Sequence, residues 1–307
     1  MTIQQLQYVL SLEEERNFQR AADKCFVSQP NLTMQLKKLE TEIDIQLFDR
    51  SKKPLVPTAA GEHFIQKARL ILREIDELKQ LVSDKKEDIS GTFKVGIIPT
   101  LAPYLLPLFL PDFVRNYPDT RLEIQELKSS QIIDMLEKGT LDAGILSTPL
   151  SSKALREVPL FYEPFLAYLS PDSPLIEKNM ISQEEIAHET LLLLSEGHCF
   201  RNQALNICGT TSLNQQSVHI ESGSIEALKG LVNQGMGATL VPKLSVGESE
   251  QAQVVRFEKP QPVREISLVV HSSFPRERLI EVIRDGIQDS IPKKLIQAKK
   301  RKRIPWK

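Results

Sequence analysis

The chain has 307 residues, 41% hydrophobic and 26% charged, with a net charge of −1 and three cysteines. That length exceeds one ordinary core, so two or three domains are expected, and the composition is that of a soluble globular protein. No apolar run approaches the roughly 18 residues a membrane helix needs, and the N-terminus turns acidic at Glu13, Glu14 and Glu15 without an apolar signal segment. A cytoplasmic protein with no membrane partner is expected. In that reducing compartment three cysteines argue against structural disulfides and leave transient or redox-sensing ones open. The net charge names no partner. The clearest local excess is Lys293, Lys294 and the run Lys299, Lys300, Arg301, Lys302 and Arg303, read as a solvated tail or as added phosphate contacts.

Thr2 and Gln5 form a capping box for a first helix with Leu6, Val9 and Leu10 inward. Asn17 caps a second, in which Phe18, Ala21, Ala22 and Cys25 recur at helical spacing, making Cys25 a packing residue. Ser28 caps a third, with Gln29 and Pro30 in its first turn and Leu32, Leu36, Leu39 and Ile43 inward. At about 100° per residue, Asn31, Met34, Lys38 and Thr41 point the other way, with Thr33, Gln35 and Lys37 beside them. Amides suit adenine edges, lysines suit guanine or phosphate, and methyl-bearing side chains suit thymine. Two short helices with such a face fit a DNA major groove; a hairpin with a solvated polar face is the alternative. Residues Leu47 to Arg50, a turn at Ser51 to Pro54, and Leu55 to Pro57 read as a small hairpin. That completes a winged helix-turn-helix, with Arg50, Lys52 and Lys53 along phosphates or the minor groove.

Thr58 begins a long helix in which Phe64, Ala68, Ile71, Ile75, Leu78 and Val82 step by four and three, the heptad spacing that needs a partner helix. No second such helix exists in the chain, so dimerisation is the economical reading and packing against the same subunit the alternative. Residues 83–91 read as a hinge. From Phe93 strands and helices alternate, which predicts an α/β fold with a mainly parallel sheet. Strands are expected over 93–98, 121–127 and 141–146, then near 164–169, 190–195, 217–221 and 237–241, with helices opening near Ser182, Cys199 and Ser224. A strand over 265–271 and a helix over 276–291 return to the first set. The expected domains are 1–57, a linker helix 58–88, a hinge 89–92, one regulatory subdomain 93–163 with 265–300, a second 164–264, and a basic tail 301–307.

Ligands of such sheets sit beyond strand ends, near helix N-termini. Thr100, Ser129 and the pair His198 and Cys199 occupy such positions, although each hydroxyl could simply cap its own helix. Cys199 has three features that favour a thiolate: His198, Arg201 and a helix start. Cys208 lies nine helical steps on, roughly 13 Å away, where a disulfide tolerates about 7 Å. If the two ever pair, the helix between them must refold. As alternatives, both cysteines are small buried hydrophobes, or they bind zinc, although the spacing matches no common zinc finger. No metal or cofactor is expected.

The stretch Arg20 to Thr33, with Leu36 to Glu40, Leu47 to Arg50 and Thr58 to Gly61, resembles the LysR-type transcriptional regulators along the whole chain. The resemblance implies a winged helix-turn-helix and linker helix joined to an α/β regulatory domain of periplasmic-binding-protein type, in two subdomains. Within that family, His198 to Gln203, Cys208, Ile98 to Thr100, Pro103 to Pro107 and Gly235 to Pro242 resemble the members that sense hydrogen peroxide. Such members often carry Thr where Ser129 stands, Leu at Phe200 and Asp at Asn202; Ser129 keeps the hydroxyl. The resemblance implies that Cys199 is the peroxidatic and Cys208 the resolving cysteine, and that Thr100, Ser129, His198 and Arg201 shape the peroxide pocket. It further implies a regulator of antioxidant genes rather than an enzyme. Its implied partners are double-stranded promoter DNA, further copies of the chain in a homodimer or homotetramer, RNA polymerase, and thiol reductants of glutaredoxin or thioredoxin type. The other reading within the family is a regulator answering a small organic ligand between the subdomains, with both cysteines incidental.

Overall fold

A computed structural model describes residues 1–82, 89–209, 223–296 and 302–305, in two compact units, Met1–Asp88 and Ile89–Lys307. The helices of the first unit start where short polar side chains can take the free N–H groups of a first turn. For α1 (Ile3–Glu15), Thr2 Oγ1 accepts from the Gln5 N–H while Gln5 Oε1 accepts from the Thr2 N–H. Asn17 caps α2 (Phe18–Lys24), accepting from Gln19 and Arg20, and Ser28 caps α3 (Gln29–Ile43), accepting from Asn31. Their inward faces meet in one core of Tyr8, Val9, Leu12, Ala21, Ala22, Leu32, Leu36 and Leu39, with Cys25 half-buried against it. The strands β1 (Phe48–Asp49) and β2 (Val56–Pro57) pair antiparallel as the small wing.

The long helix α4 (Ala59–Val82) starts on Thr58, whose Oγ1 accepts from the Gly61 N–H at 2.9 Å. Gly61 is dictated by packing, because a Cβ there would stand 2.0 Å from the Leu47 carbonyl oxygen. The heptad stripe divides. Phe64 packs onto the core of its own unit and Ala68 is 2% exposed. The expectation that both face a partner helix is corrected: α1 packs on this end of α4, with Arg69 and Glu13 ion-paired across it at 2.6 Å. Further along, Ile71 and Leu78 are exposed and Ile75 is half-buried; Val82 ends the helix.

The second unit contains, in order, β3 (Gly91–Ile97), α5 (Ala102–Asn116), β4 (Thr120–Glu126), α6 (Ser129–Glu137), β5 (Ala143–Thr148), β6 (Leu155–Leu169), β7 (Met180–Ile181), α7 (Gln183–Ala187), α8 (Cys199–Cys208), α9 (Ile225–Asn233), β8 (Ala238–Pro242), β9 (Val254–Phe257), β10 (Pro262–His271), α10 (Glu277–Ser290) and β11 (Lys302–Arg303). The sheet order is β4-β3-β5-β10-β6-β9-β7, with β8 beside β6 and β11 beside β10. β3 runs parallel to β4 and β5, but β10 is antiparallel to β5 and β6, and β6 is antiparallel to β8 and β9. The sheet is therefore mixed, not mainly parallel as expected. The cause is two long strands that carry the chain between two hydrophobic cores: β6 gives Leu160 and Phe161 to the first core and Phe165 to Leu169 to the second, and β10 runs back beside it. An outgoing and a returning strand that are neighbours must be antiparallel.

Two further expectations change. β6 starts at Leu155, well before 164. The strand expected over 190–195 reduces to one bridge, Leu191 to Ala238. Leu191 to Leu194 are all buried instead of alternating, and side chains take their carbonyls: Thr239 Oγ1 donates to Leu192 O and Arg201 to Leu194 O. The strand expected over 217–221 lies outside the described residues.

Candidate functional site

Two constellations stand out. In the first unit the outward face of α3 presents Gln29, Pro30, Met34, Lys37 and Lys38 to solvent beside the exposed cap Ser28. Asn31, Thr33 and Gln35 are half-buried at its edges, with Gln35 Oε1 accepting from Gln5 Nε2 at 3.3 Å. Lys52 and Lys53 at the wing tip are exposed. Arg50 is exposed at the wing and also has a partner within the unit. Its guanidinium pairs with Glu40 of α3 at 2.6 Å, and Glu40 Oε1 also accepts from the Leu47 N–H at 2.9 Å. Glu40 is 8% exposed, and a buried carboxylate must be paired, so Arg50 is recruited to fasten the wing to the helix.

The second constellation lies in the second unit. Cys199 is the first residue of α8, with His198 as the preceding cap residue, and is 4% exposed. Burial pushes its thiol pKa up; the Ser129 hydroxyl, the charge of Arg264 and the backbone N–H groups of Phe200 and Cys199 itself act against that rise. Of the three features expected to favour the thiolate, the helix start holds. His198 is held below its usual range, first by burial and then by the charge of Lys128, both of which work against its being a cation beside the thiol. Arg201 turns away and donates to Leu194 O at 3.0 Å. The cation at the thiol is Arg264 of β10, which sequence reasoning missed.

Arg264 is fully buried and holds the site together. Its guanidinium pairs with the equally buried Glu163 of β6 at 2.8 Å, donates to Thr100 Oγ1 at 2.9 Å and to Thr100 O at 3.1 Å, and lies over the Phe200 ring. Glu163 in turn accepts from the Leu244 N–H at 2.7 Å. The alternative in which Thr100 and Ser129 merely cap their helices is overturned: Leu101 and Lys128 occupy those cap positions. Ser129 Oγ is buried and makes no hydrogen bond of ordinary geometry. Its effect on the Cys199 thiol places it beside the sulphur. Glu163 and Arg264 had a signal in the sequence: each is a charge set in a run of mostly apolar strand residues, Glu163 among Leu160 to Leu169 and Arg264 beside Glu265 ahead of Ile266 to Val270, and such charges persist only when paired.

At the other end of α8, Cys208 is 4% exposed, and burial pushes its thiol up to about 12. Cys199 packs into the first core and Cys208 into the second, both free thiols, so α8 spans the two cores with one cysteine anchored in each. Over ten helical residues the two Cα atoms stand roughly 13 Å apart, beyond disulfide reach.

A helix-turn-helix with a wing, followed by two cores joined by crossing strands, defines a class of protein. Residues 3–62 match the bacterial regulatory helix-turn-helix of the lysR family, and residues 86–291 match the LysR substrate binding domain. The chain belongs to the LysR family, DNA-binding regulators that oligomerise, with a two-subdomain regulatory part of periplasmic-binding-protein type. It is 37% identical over 295 residues, covering 94% of this chain and 97% of the relative, to a hydrogen peroxide-inducible genes activator of Pectobacterium carotovorum subsp. carotovorum. Its fold is similar to full-length OxyR of Pseudomonas aeruginosa carrying a cysteine-to-aspartate substitution, with a TM-score of 0.82 and 35% identity, covering 94% of this chain and 95% of that one. It is also similar to a hydrogen peroxide-bound cysteine-to-serine mutant of OxyR from Corynebacterium glutamicum, with a TM-score of 0.63 and 29% identity, covering 94% and 92%. Among the described residues no helix is long and apolar enough to cross a membrane.

Proposed function

We infer that the chain is a redox-responsive, DNA-binding transcriptional regulator that senses hydrogen peroxide through Cys199 and Cys208. The observation that carries this reading is a buried thiol at a helix start, beside a hydroxyl with no partner of its own and a cation that also orients a second hydroxyl. Such a site offers hydroxyl and guanidinium groups beside the sulphur, suited to a small polar molecule of two oxygens. The Cys199 thiolate attacks one oxygen of peroxide, the O–O bond breaks, and hydroxide leaves and is protonated to water, leaving Cys199 as sulfenic acid. The Cys208 thiolate then attacks that sulphur, the disulfide forms, and a second hydroxide leaves and is protonated to water. Peroxide is reduced by two electrons and the two cysteines are oxidised by two. The regulator reacts once per signal and is not an enzyme. A dithiol reductant of glutaredoxin or thioredoxin type resets it by taking up the disulfide.

Closing the bond takes α8 apart, because its two ends must come from roughly 13 Å to within about 7 Å. The rearranged regulatory part changes how paired copies of the chain sit on promoter DNA and engage RNA polymerase in the cytoplasm. The face of α3 enters the major groove, and Lys52 and Lys53 lie along phosphates. Ile71 and Leu78 of α4, exposed in one chain, meet a second copy. Footprinting and mass spectrometry before and after stoichiometric peroxide test the reading. A Cys199–Cys208 disulfide and an altered footprint are expected, and Cys199→Ser should bind DNA yet lose both. A Cys199→Ser protein that still responds to an inducer would show instead a sensor of a small organic ligand.

A further inference from the structure

The helix that must come apart is held from an unexpected quarter. Gln203 and Asn206 lie one turn apart on α8, between the two cysteines, and each donates its side-chain amide to the last described residues of the chain. Gln203 Nε2 donates to Ile304 O at 2.8 Å and Asn206 Nδ2 to Pro305 O at 2.9 Å. The segment they hold is built into the sheet. β11 runs parallel to β10, Ile304 N donates to Val263 O at 2.9 Å, and Arg303 pairs with the buried Glu265 at 2.6 Å. Ile304 is 2% exposed and sits in the same core as Ile207 and Cys208. Gln203 is itself fully buried, and its amide divides its two hydrogens between Ile304 O and Ser147 Oγ of β5, the latter at 3.1 Å.

These contacts exist only while residues 203 and 206 are helical. We propose that the C-terminal segment Lys302–Pro305 is a strap that sets the redox balance of the Cys199–Cys208 pair by bracing α8 in the dithiol state. The inference rests on the peroxide-sensing reading, since it concerns the same pair of thiols. By linkage, a segment that binds one state better than the other shifts the equilibrium by its differential affinity, and the disulfide must weaken its docking to the same degree. Two amide bonds and one buried isoleucine bias the pair toward the dithiol. Oxidation thereby frees the end of the chain.

The test is a redox titration of the full-length protein against mixtures of oxidised and reduced dithiothreitol, in which two thiols lose two hydrogens as the reagent disulfide gains them. Alkylation and mass spectrometry read the Cys199–Cys208 fraction. A chain ending at Arg303 keeps the Arg303–Glu265 pair and lacks the Ile304 and Pro305 carbonyls. It should form the disulfide about tenfold more readily, a midpoint about 30 mV more negative. Asn206→Ala, which removes one exposed amide and cannot unfold the core, should shift the equilibrium about threefold in the same direction. In the intact protein, limited proteolysis should release the C-terminal residues faster after oxidation than before. If the disulfide forms in the intact chain but both variants titrate as the parent does, the strap is refuted and peroxide sensing stands. If no Cys199–Cys208 disulfide forms in the intact chain, both fall.

Discussion

Helices α3 and α8 carry the two halves of the function and are built on opposite terms. α3 is capped by a serine, buries one leucine-rich face and shows its polar face to solvent. It can do its work only as a helix, because its side chains must keep fixed positions to meet base edges. α8 has no side-chain cap, buries six of its ten residues and plants its two ends in different cores. In the proposed mechanism its work is to stop being a helix. A rigid reader needs its stabilising contacts to be local and permanent; a switch needs them to be distant and conditional, as the contacts from β6, β10 and the C-terminal strand to this region are.

The contrast can be broken most severely at Arg264. Arg264→Met leaves Glu163 buried without a counter-charge, its Leu244 N–H bond apart, and urea unfolding of the regulatory unit should show a loss of about 3–5 kcal/mol. Adding Glu163→Gln removes the orphaned charge and should recover most of that loss, while oxidation of Cys199 by peroxide stays about tenfold slower. Recovery of both stability and rate would mean that Arg264 does not act on the thiol.

At α3 the matching pair is the wing. Arg50→Ala strands the buried Glu40 and should cost about 1–3 kcal/mol with little change in the salt dependence of DNA affinity. Lys52→Ala or Lys53→Ala should leave stability unchanged and lower the slope of log affinity against log salt by about 1 each. The reverse pattern would put Arg50 on phosphate.

The pH dependence separates the helices further. Burial raises the folded pKa of Cys208 to about 12, above its unfolded value, so folding favours the protonated thiol. Its contribution is complete below the unfolded thiol range of about 8.5 and is lost as pH rises from there toward about 12. Urea midpoints of the regulatory unit should fall over that range, and less steeply in Cys208→Ala. The smallest expected effect is at Ser129. Its hydroxyl has no ordinary hydrogen bond to lose, so Ser129→Ala should keep stability within about 0.5 kcal/mol, while oxidation slows several-fold in a stopped-flow assay.

The legibility of the two regions in the sequence follows the same division. Thr2 with Gln5, Asn17 and Ser28 cap helices in the structure as their local spacing predicts, because capping joins residues two or three apart. The charge of Arg50 was legible, whereas its pairing with the buried Glu40, ten residues away, was not. The site in the second unit draws on Thr100, Ser129, Glu163, Cys199 and Arg264, contributed by strands and helix starts far apart in sequence, with Glu163 and Arg264 set side by side by the ladder of β6 and β10. Proximity in the sequence pointed to Arg201, whose guanidinium instead satisfies a carbonyl. The long β6 was legible only in its second half, because its first half interleaves Arg156, Glu157 and Pro159 with the apolar residues.

Burial of Cys199 to 4% exposure has one more consequence. A sulphur that shows so little surface cannot be reached by a large reactant without movement of the protein around it. The same burial that holds back the thiolate therefore also shields the sulphur from reactants in the surrounding solution.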